Sequence, residues 1–275
     1  MHHPFSRLST GLVGRCCLLL ACAGTAVHAA SGNLEIDLLF PQNDTYAPQP
    51  IIPVAFAIQN SALAGFLRPS VNFVIYPYLN HTVSSAYGYF DLVSANFSES
   101  DPYMVYGEGL EVLNTEGVWT LEWSVHVTSC FISNGDLDYR QNATRQQVTF
   151  TTKNSAKMPD LTAATGPDTC YKAPSHTFKI TETQDSGDTF DNGKPCAILA
   201  ETMPVPSPCA VKIDSAAAAS VSARMTNRAC AVTNATWCPE PTEDGVGRGL
   251  VVPTLAVGVA FLAAAFGGGM GFILI

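Results

Sequence analysis

Charge is scarce and one-sided in this sequence: 13% of its 275 residues are charged, with 14 Lys and Arg against 23 Asp and Glu. Setting aside Arg7, Arg15 and Arg248 near the two ends leaves 11 basic residues against the same 23 acids between Ala30 and Asp244, a balance of −12. Such a surface repels phosphate backbones, so nucleic acid is not an expected partner. Histidine is equally thin. Beyond residue 29 only His81, His126 and His176 occur, far apart, and no CxxC pair accompanies them. Neither a zinc site nor any cofactor is expected. The sequence also lacks a GxSxG elbow, an HExxH helix, a glycine-rich phosphate loop and an EF-hand loop, so no local signature of a known catalytic class is present.

Apolar runs of membrane length are missing from the middle and confined to the ends. Residues 1–29 read as a signal peptide: Arg7 and Arg15 precede an apolar run from Cys16 to Ala26, and Val27 and Ala29 supply small residues before a cleavage point at Ala30. Leu250 to Ile275 carries no charge and would reach ~39 Å as a helix, enough to cross a bilayer. No Lys or Arg follows it, which favours a GPI-attachment signal over a retained transmembrane helix. Candidate attachment residues are Asp244 and Gly245 in "EDGVGRG". Asn234 to Thr236 is a second triplet, but attachment there would remove Cys238. Residues 237–249 read as a stalk. Either anchor tethers the chain to the plasma membrane from outside.

Cysteine use agrees with secretion. Cys16, Cys17 and Cys22 leave with the signal peptide, and an even six remain: Cys130, Cys170, Cys196, Cys209, Cys230 and Cys238. Three disulfides are expected; six cysteines allow several pairings, of which Cys209 with Cys230 is the local one favoured here, closing a loop worth roughly 3 kcal/mol. Sequons at Asn43, Asn80, Asn96, Asn142 and Asn234 predict glycosylation on exposed loops or strand edges.

Between the ends, residues 30–155 alternate like strands. Leu34, Ile36, Leu38 and Phe40 share one parity in "LEIDLLF"; Ile52, Val54, Phe56 and Ile58 share one in "IIPVAFAI", where Pro53 suggests an edge strand. "VNFVIYPY" is apolar on both parities, and "RQQVTFTT" aligns Val148 with Phe150. The expectation is a mainly β fold, an antiparallel, immunoglobulin-like β-sandwich. Residues 156–236 form a disulfide-rich extension of the same ectodomain, with short strands at "TFKI" and "AVKI". It carries one helix in "DSAAAASVSARMTNRAC", capped by Asp214 or Ser215, with Ala217, Val221 and Met225 on one face and Arg224 and Arg228 near its end.

"GVWTLEWSVHVTSC" tests for chemistry. Trp119, Leu121, Trp123, Val125 and Val127 share one parity; Glu122, Ser124 and His126 share the other. Glu122 and His126 lie ~13 Å apart along a strand and Ser124 and His126 ~7 Å, beyond hydrogen-bond reach, so the stretch reads as a strand with a wet face and not as a catalytic strip. Glu108 with Glu111, and Asp136 with Asp138, are the acid pairs nearest to a glycosidase arrangement, and both sit in turn-like sequence. Among six clustered tyrosines, Tyr87 and Tyr89, separated by Gly88 in what reads as an exposed turn, are the candidates for stacking on sugar rings, against the alternative that they line one strand face as ordinary packing.

The blocks "LEIDLLFPQNDTYAPQPIIPVAFAIQN", "DPYMVYGEGLEVLNTEGVWTLEWSV" and "PCAVKIDSAAAASVSARMTNRACA" together resemble a family of secreted fungal proteins known only as a domain of unknown function, with a signal peptide, paired cysteines and a hydrophobic, GPI-type C-terminus. The resemblance implies a cell-surface protein with a largely β domain, and it carries over no catalytic residue. The expected function is therefore that of a non-enzymatic, membrane-tethered cell-surface glycoprotein. The alternatives are a carbohydrate-binding module acting on cell-wall polysaccharide and a glycoside hydrolase.

Overall fold

The computed structural model describes residues 30–80, 82, 86–110, 112–187, 190, 193–232 and 235–238. The expected signal peptide, Asn234, the stalk beyond Cys238, Asp244, Gly245 and the apolar C-terminal segment lie outside them. Among the described residues no helix is long and apolar enough to cross a membrane.

Ten strands make up most of the fold: β1 Gly32–Phe40, β2 Thr45–Tyr46, β3 Ile51–Gln59, β4 Ser70–Pro77, β5 Ala86–Asp91, β6 Tyr103–Leu110, β7 Gly117–Ser133, β8 Asp136–Thr152, β9 Ser175–Gln184 and β10 Cys196–Leu199. Two α-helices follow the long hairpin, α1 Leu161–Ala164 and α2 Ser215–Val232. The strands join in one mixed sheet in the order β2-β8-β7-β10-β9-β1-β3-β6, with β4 bonded to β7 and β5 to β4. The expected mainly β composition is present. The hydrogen bonding, however, is not that of two separate antiparallel sheets, because β2–β8 and β10–β7 are parallel and β10, bonded to both β7 and β9, joins the two arms into a single sheet.

The long hairpin explains the linkage. Asn134 and Gly135 turn it with φ of 53° and 91°, left-handed values that Asn and Gly tolerate and that a two-residue hairpin requires. β7 and β8 then pair over 17 residues each, whereas β4 covers only Trp119 to His126 of β7. The overhanging end is taken up by β10, through Ile198 opposite Cys130 and the disulfide Cys130–Cys196. β9 and β10, drawn from the cysteine-rich region, thus stand on the path between β7 and β1.

The core lies where residues of the two arms of this sheet meet. Phe56 of β3 packs its ring 5.4 Å from Trp123 of β7 and 6.2 Å from both Phe73 of β4 and Phe90 of β5. Trp119, Leu121, Trp123, Val125 and Val127 are all buried, as their shared parity predicts. β3 is covered on both faces, since Ala55 and Ala57 are fully buried as well. Contrary to the edge-strand expectation from Pro53, β3 lies between β1 and β6. Proline is tolerated because β1 pairs only with Ala55 to Gln59, leaving Pro53 opposite Glu108 of β6 alone.

The helix α2 lies along β3 and β6. Asp214 caps it, its Oδ1 accepting the Ala217 N–H at 2.7 Å. Val221, Met225 and Ala229 are its buried stripe; Ala217 is exposed, and Ala218 takes the place expected of it. Arg224 and Arg228 do not complement the helix end, whose last turn holds no basic residue. Arg224 stands 5.8 Å over the Tyr106 ring and Arg228 pairs with Glu108 at 3.3 Å, clamping the helix to β6. "AVKI" is not a strand; a 3-10 turn at Pro208–Ala210 leads into it, and Val211 and Ile213 are buried without strand partners.

Candidate functional site

The disulfides are Cys130–Cys196, Cys170–Cys209 and Cys230–Cys238, which use all six expected cysteines. The pairing of Cys209 with Cys230 is overturned. Cys209 bridges instead to Cys170, and Cys230, near the end of α2, closes the short loop to Cys238. Three disulfides are consistent with an extracellular or secretory-pathway protein.

Tyr87 and Tyr89 lie in β5, not in a turn, and are exposed by 81% and 63%. Gly88 has a packing reason instead. A Cβ there would run into the Phe73 ring, and one at Gly107 on β6 would come within 2.8 Å of it, so the two glycines make room for Phe73 between them. With residue 88 directed to the core, the pleat turns Tyr87 and Tyr89 together toward solvent, about 7 Å apart along the strand.

The register extends this face across three more strands. Tyr89 stands opposite Asn72, Asn72 opposite Ser124, and Ser124 opposite Arg145; Asp91 stands opposite Ser70, and Ser70 opposite His126. Most of these side chains hold one another. Asn72 Nδ2 lies 3.3 Å from His126 Nε2; Glu122 pairs with Arg145 at 3.3 Å and accepts from Gln147 Nε2 at 2.7 Å. Glu122 and His126 are therefore engaged by different neighbours, and no hydrogen bond joins either to Ser124 among the described residues, so the three form no acid, nucleophile and base set.

At the β5 end of this face is an open groove of about 520 Å³, within the usual range of small-ligand sites. Arg68, Ser70, Asn72, Asp91, His126 and Gln141 contribute its polar lining, and Tyr89 its aromatic wall. Sequence reasoning marked Tyr89, weighed His126 only as part of a catalytic strip and missed the rest. Asn72, the lone polar residue in "VNFVIYPY", and Asp91, on the parity of Tyr87 and Tyr89, were legible signals; nothing in the sequence marked Arg68.

Asp136 and Asp138 are exposed on the first turn-proximal residues of β8, and Glu108, on a strand and not in a turn, is engaged by Arg228. Glu111 lies outside the described residues. Among those residues no group of three or more His, Cys, Asp or Glu could hold a metal ion.

A different pair of carboxyls is buried. Glu35 and Asp37 alternate with Leu34, Ile36 and Leu38 on β1 and are 7% and 0% exposed. Gln59 Nε2 donates to both, at 3.1 and 2.7 Å, and both oxygens of Glu35 accept the Ser207 N–H, at 2.7 and 2.9 Å. Burial first, then the adjoining Asp37 carboxyl, pushes Glu35 up to about 8, with the Ser207 N–H opposing. Burial also raises Asp37, against hydrogen bonds from Ser175, Glu35 and Gln59. Asp37 Oδ1 has no other partner among the described residues, which fits a proton held between the two carboxyls. His176 of β9, its ring 4.5 Å from that of Trp123, is pushed down to about 4 by burial.

The sequons divide by environment. Asn43, Asn80 and Asn96 are exposed, and the Oδ1 atoms of Asn80 and Asn96 accept from the Thr82 and Ser98 hydroxyls at 2.7 Å. Asn142 is half-buried in β8, its Nδ2 donating at 2.8 Å to the Oγ of Ser129, a buried residue. No curated protein and no solved structure matches the chain. Residues 29–243 match the family described as a domain of unknown function (DUF7136), and the chain belongs to that family.

Proposed function

We propose that this chain is a non-enzymatic glycoprotein of the fungal cell surface, secreted by residues 1–29 and tethered through residues 250–275, whose exposed face on β5, β4, β7 and β8 binds polysaccharide of the cell wall. In this reading the two arms of the sheet act as the layers of a sandwich, supported by the contacts of Phe56 with Trp123, Phe73 and Phe90. The observation that carries the binding reading is the pair of tyrosines, 81% and 63% exposed on one edge strand beside a face of hydrogen-bonding side chains. Rings left in water on a strand whose other face is packed contribute nothing to folding, whereas their apolar faces suit the C–H faces of sugar rings. None of the described sequon residues stands on the exposed rows, so glycans at Asn80 or Asn96 leave that face open.

Retention on washed insoluble glucan and on chitin tests this. The secreted protein is expected in the bound fraction of at least one of the two, and the double variant Tyr87→Ala with Tyr89→Ala in the unbound fraction. Equal recovery of both proteins in the supernatant defeats the reading. Treatment of host membranes with phosphatidylinositol-specific phospholipase tests the tether, with release expected for a lipid anchor at Asp244 or Gly245 and retention for a spanning helix.

A further inference from the structure

We propose that the groove beside Tyr89 is a selectivity subsite that clamps hydroxyls of a neutral hexopyranose chain between Arg68 and Asp91; this deepens, and rests on, the saccharide reading of the same face. Its polar lining is complementary in kind. Arg68 can only donate hydrogen bonds and ionised Asp91 can only accept them, while Ser70, Asn72 and Gln141 do both. A sugar hydroxyl is itself donor and acceptor, so neighbouring hydroxyls can satisfy both charged groups at once. A lipid would leave this lining desolvated and unpaired, which costs free energy for every polar group so buried. An anionic glycan would approach a chain of net charge −9 with Asp91 in its path, which disfavours it over a neutral one.

The groups are also held before any ligand arrives. Arg68 has φ of 46°, a left-handed conformation costly for a non-glycine residue and maintained only where the surroundings enforce it. The Leu67 carbonyl beside it accepts the Thr128 N–H at 2.7 Å, and the guanidinium lies 5.7 Å over the ring of Phe190. Phe190 is buried with Cys130 and Cys196, and Tyr139 stacks on it at 5.4 Å. Among the described residues no carboxylate forms an ion pair with Arg68, so the guanidinium is not committed elsewhere. Asp91 is fixed through Oδ1, which accepts the Val93 N–H at 3.1 Å, and His126 is fixed by Asn72. Preorganised hydrogen-bonding groups beside an exposed aromatic wall bind with little ordering cost.

The test is calorimetric titration of the secreted protein with cellohexaose, laminarihexaose, chitohexaose and polygalacturonate. Binding is expected for at least one neutral oligosaccharide and not for polygalacturonate. Arg68→Asn, which tolerates the left-handed backbone, and Asp91→Asn, which keeps the bond to Val93, are each expected to weaken that binding tenfold or more while circular dichroism and Tm stay those of the parent. If the tyrosine double variant loses retention on insoluble glycan but both groove variants bind like the parent, the subsite is overturned and the saccharide reading stands. If polygalacturonate binds best and Arg68→Asn abolishes it, the neutral assignment is overturned. If the parent binds no soluble or insoluble glycan, both fall together.

Discussion

Replacing Glu35 with Gln should change how stability depends on pH, and the sign follows from the folded and unfolded proton affinities. Glu35 titrates near 8 when folded against 4.5 when exposed, so between those values the folded state holds a proton that the unfolded state has released. Its contribution is complete below 4.5 and is lost as pH rises to about 8. Asp37, raised by the same burial, acts in the same direction. His176 acts oppositely: it titrates near 4 when folded against 6.5 when exposed, so its contribution is complete above 6.5 and is lost as pH falls toward 4. At ~1.4 kcal/mol per pKa unit the slopes of Glu35 and His176 offset each other between 4.5 and 6.5, and Asp37 adds to the loss with rising pH. From 6.5 to 8 only the carboxyl pair remains, and stability should fall by about 2 kcal/mol. Gln mimics the protonated acid, so Glu35→Gln should remove the share of this fall that Glu35 supplies and uncover more of the rise of ~3 kcal/mol between 4 and 6.5 that His176 supplies. Urea unfolding of both proteins, followed by the fluorescence of the buried Trp119 and Trp123 in half-unit pH steps, reads the difference directly. Parallel curves for parent and variant between 6.5 and 8.5 would refute the shared-proton account of the pair.

Two further expectations concern the covalent features. Cys130→Ser with Cys196→Ser opens a loop of 66 residues and should cost about 4 kcal/mol in chemical unfolding, with lost hydrogen-exchange protection at β10, whose one bridge to β7 is at Cys130. Peptide mapping of the secreted protein by mass spectrometry should find glycans at Asn43, Asn80 and Asn96 and none at Asn142, where the amide is turned onto Ser129 in the sheet; a fully occupied Asn142 would contradict the register of β7 and β8.

Much of the fold was legible where alternation governs. The parity of "GVWTLEWSVHVTSC" correctly assigned both tryptophans to the core, because burying one face of a strand requires an apolar residue at every second position. It misjudged part of the other face, since Thr120 and Ser124 are buried there too, and Tyr76 with them. That cover comes from neighbouring strands, which parity does not encode. The helix was legible from its cap at Asp214 and from Val221 and Met225. The roles of Arg224 and Arg228 were not, because they answer Tyr106 and Glu108 more than a hundred residues away.

The sequence by itself determined the strand faces, the six cysteines beyond residue 29 and the absence of any local catalytic motif, all of which follow from residue type and short-range spacing. Only the tertiary structure decided which cysteines meet, that β10 joins β7 where the hairpin outruns β4, that Glu35 and Asp37 are buried together against Gln59 and the Ser207 N–H, and that Arg68, Asp91 and His126 border one groove. Each of these depends on strand neighbours chosen across tens of residues, where the free energy lies in burying whole faces together and no local signal records the partner.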